Sequence, residues 1–241
     1  MPQRMVRWTG PEVAAYRRTM SAPATTPAQV LEVVRTSRLV SVIRAADPEA
    51  AYGAARAVIR GGVRLVEVTY SVPDAPAVMR RLADEAHPGV VVGAGTVLTR
   101  AEAEAAVDAG ARFLIAPNAS EVVAAVAHER GVFWCPGAYT TSEILRAMEL
   151  GAHLVKVYPV GVAGGPDYIR IIRDPLPRVP MLAAGGTNLD NVTPFWAAGC
   201  LACGIGGTMA DPALARDGRF DEIESRARAF VERAAAFAAG A

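Results

Sequence analysis

One phrase recurs along this chain: a glycine placed to end a helix, followed at once by a short apolar run. It reads Gly61-Gly62-Val63-Arg64-Leu65-Val66-Glu67, then Ala109-Gly110-Ala111-Arg112-Phe113-Leu114-Ile115, then Leu150-Gly151-Ala152-His153-Leu154-Val155-Lys156. Ala198-Gly199-Cys200-Leu201-Ala202-Cys203 repeats it, and Arg130-Gly131-Val132-Phe133-Trp134 is a looser copy. A glycine just past the last helical turn can take the left-handed conformation that stops the helix. Gly110, Gly131 and Gly151 stand about one strand-plus-helix unit apart, and Gly199 about two units further on. A phrase repeated at that spacing predicts a succession of βα units.

The apolar runs read as eight strands: Leu39–Arg44, Val63–Thr69, Val90–Gly93, Phe113–Ala116, Val132–Cys135, Leu154–Tyr158, Pro180–Ala184 and Leu201–Ile205. Alanine-rich amphipathic segments lie between them. Several open on a helix cap: Asp47-Pro48-Glu49, Thr99-Arg100-Ala101-Glu102 and Thr141-Ser142-Glu143. Near-continuous apolar strands alternating with helices imply a parallel sheet buried on both faces. Eight such units predict an α/β fold of the (β/α)8 TIM-barrel type, one domain over residues 26–241 closed by a helix over Phe220–Ala239. A doubly wound open sheet is the alternative, but no G-x-G-x-x-G follows the first strand. Residues 1–25 stand outside the scheme as an irregular extension, with Arg4, Arg7, Arg17 and Arg18 against one acid. That composition also fits a transit peptide, or an over-long start with Met20 as a later initiator.

Composition excludes several classes. A net charge of +1 with interspersed signs gives no footprint for nucleic acid. No apolar run reaches the roughly 18 residues of a membrane span, and no secretory signal is present, so a cytoplasmic protein is expected. Cys135, Cys200 and Cys203 make no disulfide framework. Cys200-Leu201-Ala202-Cys203 has a redox or zinc spelling, but on a strand residues three apart point to opposite faces. His87, His128 and His153 are dispersed. Neither a metal nor a cofactor is expected.

The chain holds a single lysine, Lys156, inside the apolar run Leu154-Val155-Lys156-Val157-Tyr158; every other cation is arginine. Arginine stays protonated, whereas a desolvated lysine can lose its proton and attack a carbonyl carbon. The bland alternative is a lysine whose stem packs on the barrel wall while its ammonium reaches solvent. In a barrel the active site lies at the C-terminal strand ends. Those ends supply Arg44, Glu67-Val68-Thr69, Gly93-Ala94-Gly95-Thr96, Pro117-Asn118, Cys135-Pro136-Gly137, Lys156, Gly185-Gly186-Thr187 and Gly206-Gly207-Thr208. An amine, a carboxylate and a guanidinium on one rim suit a nucleophile, a proton shuttle and an anion clamp. Glu67 and Arg44 have structural alternatives, a buried ion pair and a surface ion pair, and Thr96 has the alternative of capping a helix.

The phrases Gly61-Gly62-Val63…Val66-Glu67-Val68-Thr69, Gly93-Ala94-Gly95-Thr96-Val97-Leu98, Cys135-Pro136-Gly137 and Val155-Lys156-Val157-Tyr158-Pro159 carry a resemblance. From about Leu39 to about Arg233 the chain resembles the 2-keto-3-deoxy-6-phosphogluconate (KDPG) and 4-hydroxy-2-oxoglutarate (KHG) aldolases. Ala116-Pro117-Asn118 and Gly164-Gly165-Pro166-Asp167-Tyr168-Ile169 look more like the phosphogalactonate branch. The resemblance implies a class I, pyruvate-forming aldolase acting on a small keto acid, with Lys156 as Schiff-base lysine and Glu67 as general acid/base. It implies Thr96 and the Gly95 backbone at the pyruvate end; Pro117 and Asn118, at the end of strand four, are expected to bind substrate as well. It also implies a homotrimer.

Gly185-Gly186 and Gly206-Gly207 follow strands seven and eight, where barrels often hold a phosphate, with Thr208 beside them. Tight βα turns need glycine anyway, which is the competing explanation. One departure stands out. The family often has an arginine shortly after the strand-two glutamate, where this chain reads Glu67-Val68-Thr69-Tyr70-Ser71. Arg44 is therefore expected to take the keto-acid carboxylate. The reactions in view are cleavage of a 2-keto-3-deoxy-6-phospho sugar acid and cleavage of 4-hydroxy-2-oxoglutarate. A phosphate-binding barrel isomerase or synthase, or a non-enzymatic scaffold, would have no use for Lys156.

Overall fold

A computed structural model describes residues 25–85 and 87–240 of the chain. The N-terminal extension therefore lies, but for its last residue, outside the described residues. Nine parallel strands run in the order β5-β4-β3-β2-β1-β9-β8-β7-β6. They are β1 (Leu39–Ile43), β2 (Leu65–Thr69), β3 (Val91–Gly95), β4 (Phe113–Ile115), β5 (Phe133–Cys135), β6 (Gly137–Ala138), β7 (Val155–Val157), β8 (Met181–Ala184) and β9 (Ala202–Ile205). Between them lie helices α1 (Pro27–Ser37), α2 (Pro48–Arg60), α3 (Ala75–Asp84), α4 (Arg100–Asp108), α5 (Glu121–Glu129), α6 (Thr141–Glu149), α7 (Val160–Ala163), α8 (Pro166–Arg173), α9 (Val192–Ala197), α10 (Pro212–Arg216) and α11 (Phe220–Ala239).

The ninth strand is a consequence of one proline. Only Pro136 separates β5 from β6, so the two are one strand that changes partner midway. Its first half pairs with β4 and its second with β7. Proline brings no N–H to a ladder, which makes it the natural place for the break. The seam is closed by the His153 N–H donating to the Trp134 carbonyl at 3.0 Å and the Lys156 N–H donating to the Pro136 carbonyl at 2.8 Å. Counted that way the sheet is an eight-unit barrel, as the glycine phrase predicts, with strand five running three residues past its expected end.

The helix stops work as the sequence suggests. Gly110 (φ +99°) and Gly151 (φ +78°) hold the left-handed backbone at the ends of α4 and α6. Asp47 caps α2 through the Ala50 N–H at 2.8 Å. Thr99 and Glu102 form the expected capping box on α4. On α6 the cap is Thr140 rather than Thr141, because Glu143 at the third helical position reaches back to the Thr140 N–H at 2.7 Å.

Two apolar layers follow from strand alternation. Val66, Val68, Val155, Val157, Met181 and Ala183 face the helices, whereas Val40, Leu65, Val91, Phe113, Phe133, Leu154, Leu182 and Ala202 fill the barrel. The sequence assigned no role to Pro27–Ser37. In the structure Val30 and Val34 of α1 join the interior layer and plug the barrel at the end away from the site. Each is essentially inaccessible, and burying such a side chain contributes about 1.5–3 kcal/mol. The interior is tight: a Cβ on Gly93 would overlap the Phe113 ring, and Gly93→Ala should cost about 1–3 kcal/mol through overpacking.

Cys200 corrects one expectation. It precedes β9 instead of lying on it, so the opposite-face argument does not apply, and Cys200 and Cys203 both pack in the outer layer. Both thiols are free and buried, and burial pushes the Cys200 thiol up to about 12. Among the described residues, no three His, Cys, Asp or Glu side chains converge as a metal site would require, and no helix is long and apolar enough to cross a membrane.

Candidate active site

Lys156 is the middle residue of β7. Its neighbours Val155 and Val157 face the helices, so alternation turns Lys156 into the barrel, where it is 6 % exposed. The amine ends in a cleft of about 570 Å³ that Arg44 and Tyr158 also line. Nζ lies 5.1 Å from the centroid of the Tyr158 ring. The side chain thus ends in a cleft of the barrel and not on the outer surface.

Glu67 is placed by the same logic on β2. It pairs in register with Val42 and Gly93, faces inward and is 1 % exposed. Burial lifts its carboxyl above the usual range, and the charges of Lys156 and then Arg44 pull it back. Its Oε1 has no hydrogen-bond partner. An ionised carboxylate is expensive in such a place, so the group is poised to carry a proton. Gly95 makes the room: a Cβ there would overlap Glu67 Oε1.

Cys135 has no catalytic or binding role in the sequence reading. It faces inward beside these groups; burial raises its thiol, the Lys156 charge opposes that and the Glu67 charge adds to it. Tyr158 is the other neighbour that sequence reasoning left without a role. Its position two residues after Lys156, on the same face of the strand expected over Leu154–Tyr158, is the signal that finds it.

Arg44 is exposed at the cleft wall and forms no ion pair among the described residues, so its surface-pair alternative is not realised. Ser71, standing where an arginine was sought, is turned back on β2: its hydroxyl lies 2.6 Å from Thr69 Oγ1, which donates to the Ile43 carbonyl. Thr96 does not cap a helix; Thr99 does. It instead holds φ +59°, a strained conformation for a β-branched residue and one that clusters at functional sites. Thr96, Pro117 and Asn118 are not in the lining of the Lys156 cleft, and Pro117 and Asn118 are exposed on the rim.

The two glycine pairs behave differently. Gly185 and Gly186 are explained by packing: a Cβ on Gly185 would come 2.8 Å from the Tyr158 ring, and one on Gly186 2.6 Å from the Gly161 Cα. Beyond the adjoining residues of the chain, no atom lies within 4 Å of a Cβ position on Gly206, and on Gly207 only Pro212 does, at 3.9 Å. Both line the cleft, so their bare backbone faces open space. Thr208 also lines it, but its hydroxyl is committed to the Thr187 carbonyl at 3.1 Å.

A parallel barrel with a lone amine, a buried carboxyl behind it and a guanidinium on the cleft wall has the form of a Schiff-base lyase. Residues 30–226 match the family described as KDPG and KHG aldolase, and the chain belongs to that family, the pyruvate-forming aldolases. A KHG/KDPG aldolase of Escherichia coli (strain K12) is 34% identical over 83% of this chain and 93% of its own. A probable 2-dehydro-3-deoxy-6-phosphogalactonate aldolase of Rhizobium meliloti (strain 1021) is 33% identical over 73% of this chain and 83% of its own. Among solved structures, the KDPG aldolase of Legionella pneumophila, with pyruvate captured as a covalent carbinolamine, superposes with a TM-score of 0.77 at 26% identity, covering 85% of this chain and 98% of its own. A thiamine phosphate pyrophosphorylase from Pyrococcus furiosus shares the fold alone, at 16% identity and a TM-score of 0.65.

Proposed function

We propose that this chain cleaves a 2-keto-3-deoxy-6-phospho sugar acid, of the phosphogluconate or phosphogalactonate type, to pyruvate and glyceraldehyde 3-phosphate. The observation that carries the reading is the chain's single lysine, buried in the barrel beside a buried carboxyl. The neutral amine of Lys156 adds to the C2 carbonyl of the substrate, and loss of water from the carbinolamine leaves an iminium. Glu67 takes the C4 hydroxyl proton as the C3–C4 bond breaks, and the bonding pair flows into the iminium to give an enamine and the aldehyde. The enamine is reprotonated at C3, and water releases pyruvate and the free amine.

Arg44 binds the C1 carboxylate with its free guanidinium. The open backbone at Gly206, Gly207 and Thr208 takes the phosphate, with Gly185 and Gly186 shaping the wall beside it. Because the Thr208 hydroxyl is already donated, that residue contributes through its N–H. Thr96 and Gly95 border the pyruvate end, and Pro117 and Asn118 the outer rim. A second reading, cleavage of 4-hydroxy-2-oxoglutarate to pyruvate and glyoxylate, is supported by the double name of the Escherichia coli relative but leaves the open glycine loop without a ligand. No cofactor enters either route.

Pyruvate release measured side by side on both phosphorylated sugar acids and on 4-hydroxy-2-oxoglutarate tests this. Turnover confined to the unphosphorylated keto acid would remove the phosphate assignment. We further propose a cytoplasmic homotrimer serving carbohydrate breakdown, a state supported by family likeness and by large apolar side chains such as Val162 and Ile171 standing exposed on α7 and α8.

A further inference from the structure

Lys156 Nζ makes neither a hydrogen bond nor an ion pair with any described residue, although the Glu67 carboxyl is near enough for its proton affinity to feel the lysine charge. Oε1 of that carboxyl is likewise buried without a partner. An ammonium beside a carboxylate in a dry interior ordinarily closes into a pair, because their attraction grows as the dielectric falls. What Nζ faces instead is the Tyr158 ring, 5.1 Å from its centroid and within cation–π reach. The ring is held in turn. Gly185 lies so close that a Cβ there would come 2.8 Å from ring atoms Cδ2 and Cε2, and the Tyr158 N–H donates to the Ala138 carbonyl at 3.0 Å.

We propose that Tyr158 is a positioning residue: its ring holds the Lys156 amine toward the cleft and out of an ion pair with Glu67. The inference rests on the Schiff-base reading above. A lysine stem is long and unbranched and fixes no direction by itself, so a directed contact near its tip decides where the amine points. The charged and titratable groups facing Glu67 are Lys156 from β7, Arg44 from the residue after β1 and Cys135 from β5, with Gly95 of β3 packed against it. Closing the pair with Lys156 would turn the amine away from the substrate carbonyl and occupy the carboxyl that has to exchange protons with the substrate.

The single lysine makes a direct test available. Protein grown on lysine carrying carbon-13 at Cε gives one side-chain signal, that of Lys156. In the unliganded wild type the attached protons should resonate upfield of free lysine, under the ring current of Tyr158, and Tyr158→Leu should return them to the free value. Steady-state kinetics supply the second readout. Tyr158→Leu should lower kcat about two- to tenfold with little change in KM, and move the carboxyl-dependent limb of the pH profile to lower pH. Tyr158→Phe keeps the ring and should restore both. A free-lysine shift in the wild type, or a Tyr158→Phe enzyme as impaired as Tyr158→Leu, overturns the proposal. If Tyr158→Leu does not fold, the wild-type signal and the Tyr158→Phe kinetics decide it. The resonance needs no turnover, so an enzyme without aldolase activity would sink the Schiff-base reading while leaving the ring contact to be judged separately.

Discussion

Gly95 and Glu67 occupy one space: the carboxyl of Glu67 lies where a Cβ on residue 95 would be. The glycine at this strand end is therefore part of the site by what it lacks. Gly95→Ala should leave the barrel folded but push the carboxyl aside. A displacement on the order of 1 Å at a reacting group can cost about 100-fold, so kcat should fall by about that factor while circular dichroism is unchanged. Unaltered kcat would show that the carboxyl position is immaterial.

Glu67→Gln removes the proposed proton carrier and keeps the shape. Loss of a general acid/base costs about 10²–10⁴-fold in kcat. The same variant makes a prediction about stability. Burial raises the Glu67 carboxyl in the folded chain, so the folded state binds its proton more readily than the unfolded state. Glu67 thus contributes its full stability below the ordinary carboxylate range and loses it as pH rises through the raised value. Thermal melts should find Glu67→Gln more stable than wild type at pH 8 and the difference gone near pH 4.

Arg44 is the free guanidinium on the cleft wall. Arg44→Ala should raise KM for the keto acid and lower kcat/KM by about ten- to a hundredfold, the equivalent of one charge-assisted bond of about 1.5–3 kcal/mol. Equal kinetics on wild type and variant would assign the carboxylate to another group.

Gly206 has open space where a side chain would stand. Gly206→Ala should therefore fold with unchanged thermal stability yet raise KM for phosphorylated substrates about tenfold or more, by placing a methyl in the proposed phosphate site. KM for 4-hydroxy-2-oxoglutarate should stay as it was. A uniform rise for all substrates would move the phosphate elsewhere.

Much of this was legible in the sequence because backbone punctuation is local. Glycines such as Gly110 and Gly151 mark helix ends wherever the chain goes next, and apolar runs then find their strands. Lys156 was legible through its rarity. What depended on a third dimension was not. That strand five continues past Pro136 is set by its change of partner from β4 to β7. Cys135 enters the site only because the barrel curves it toward Lys156 and Glu67. Gly185-Gly186 and Gly206-Gly207 look alike as text, yet the first pair is filled by neighbouring chain and the second faces open space. Cys200 was misjudged because it lies ahead of the strand, which begins only at Ala202.

The proposed reaction requires Lys156 to form an imine with the keto acid. Incubation with pyruvate and borohydride, followed by intact mass and peptide mapping, tests it without knowledge of the full substrate. A single reduced pyruvate adduct on the peptide carrying Lys156, absent when pyruvate is omitted, is the predicted result. A folded protein that gains no adduct, or gains it anywhere but Lys156, would contradict the assignment.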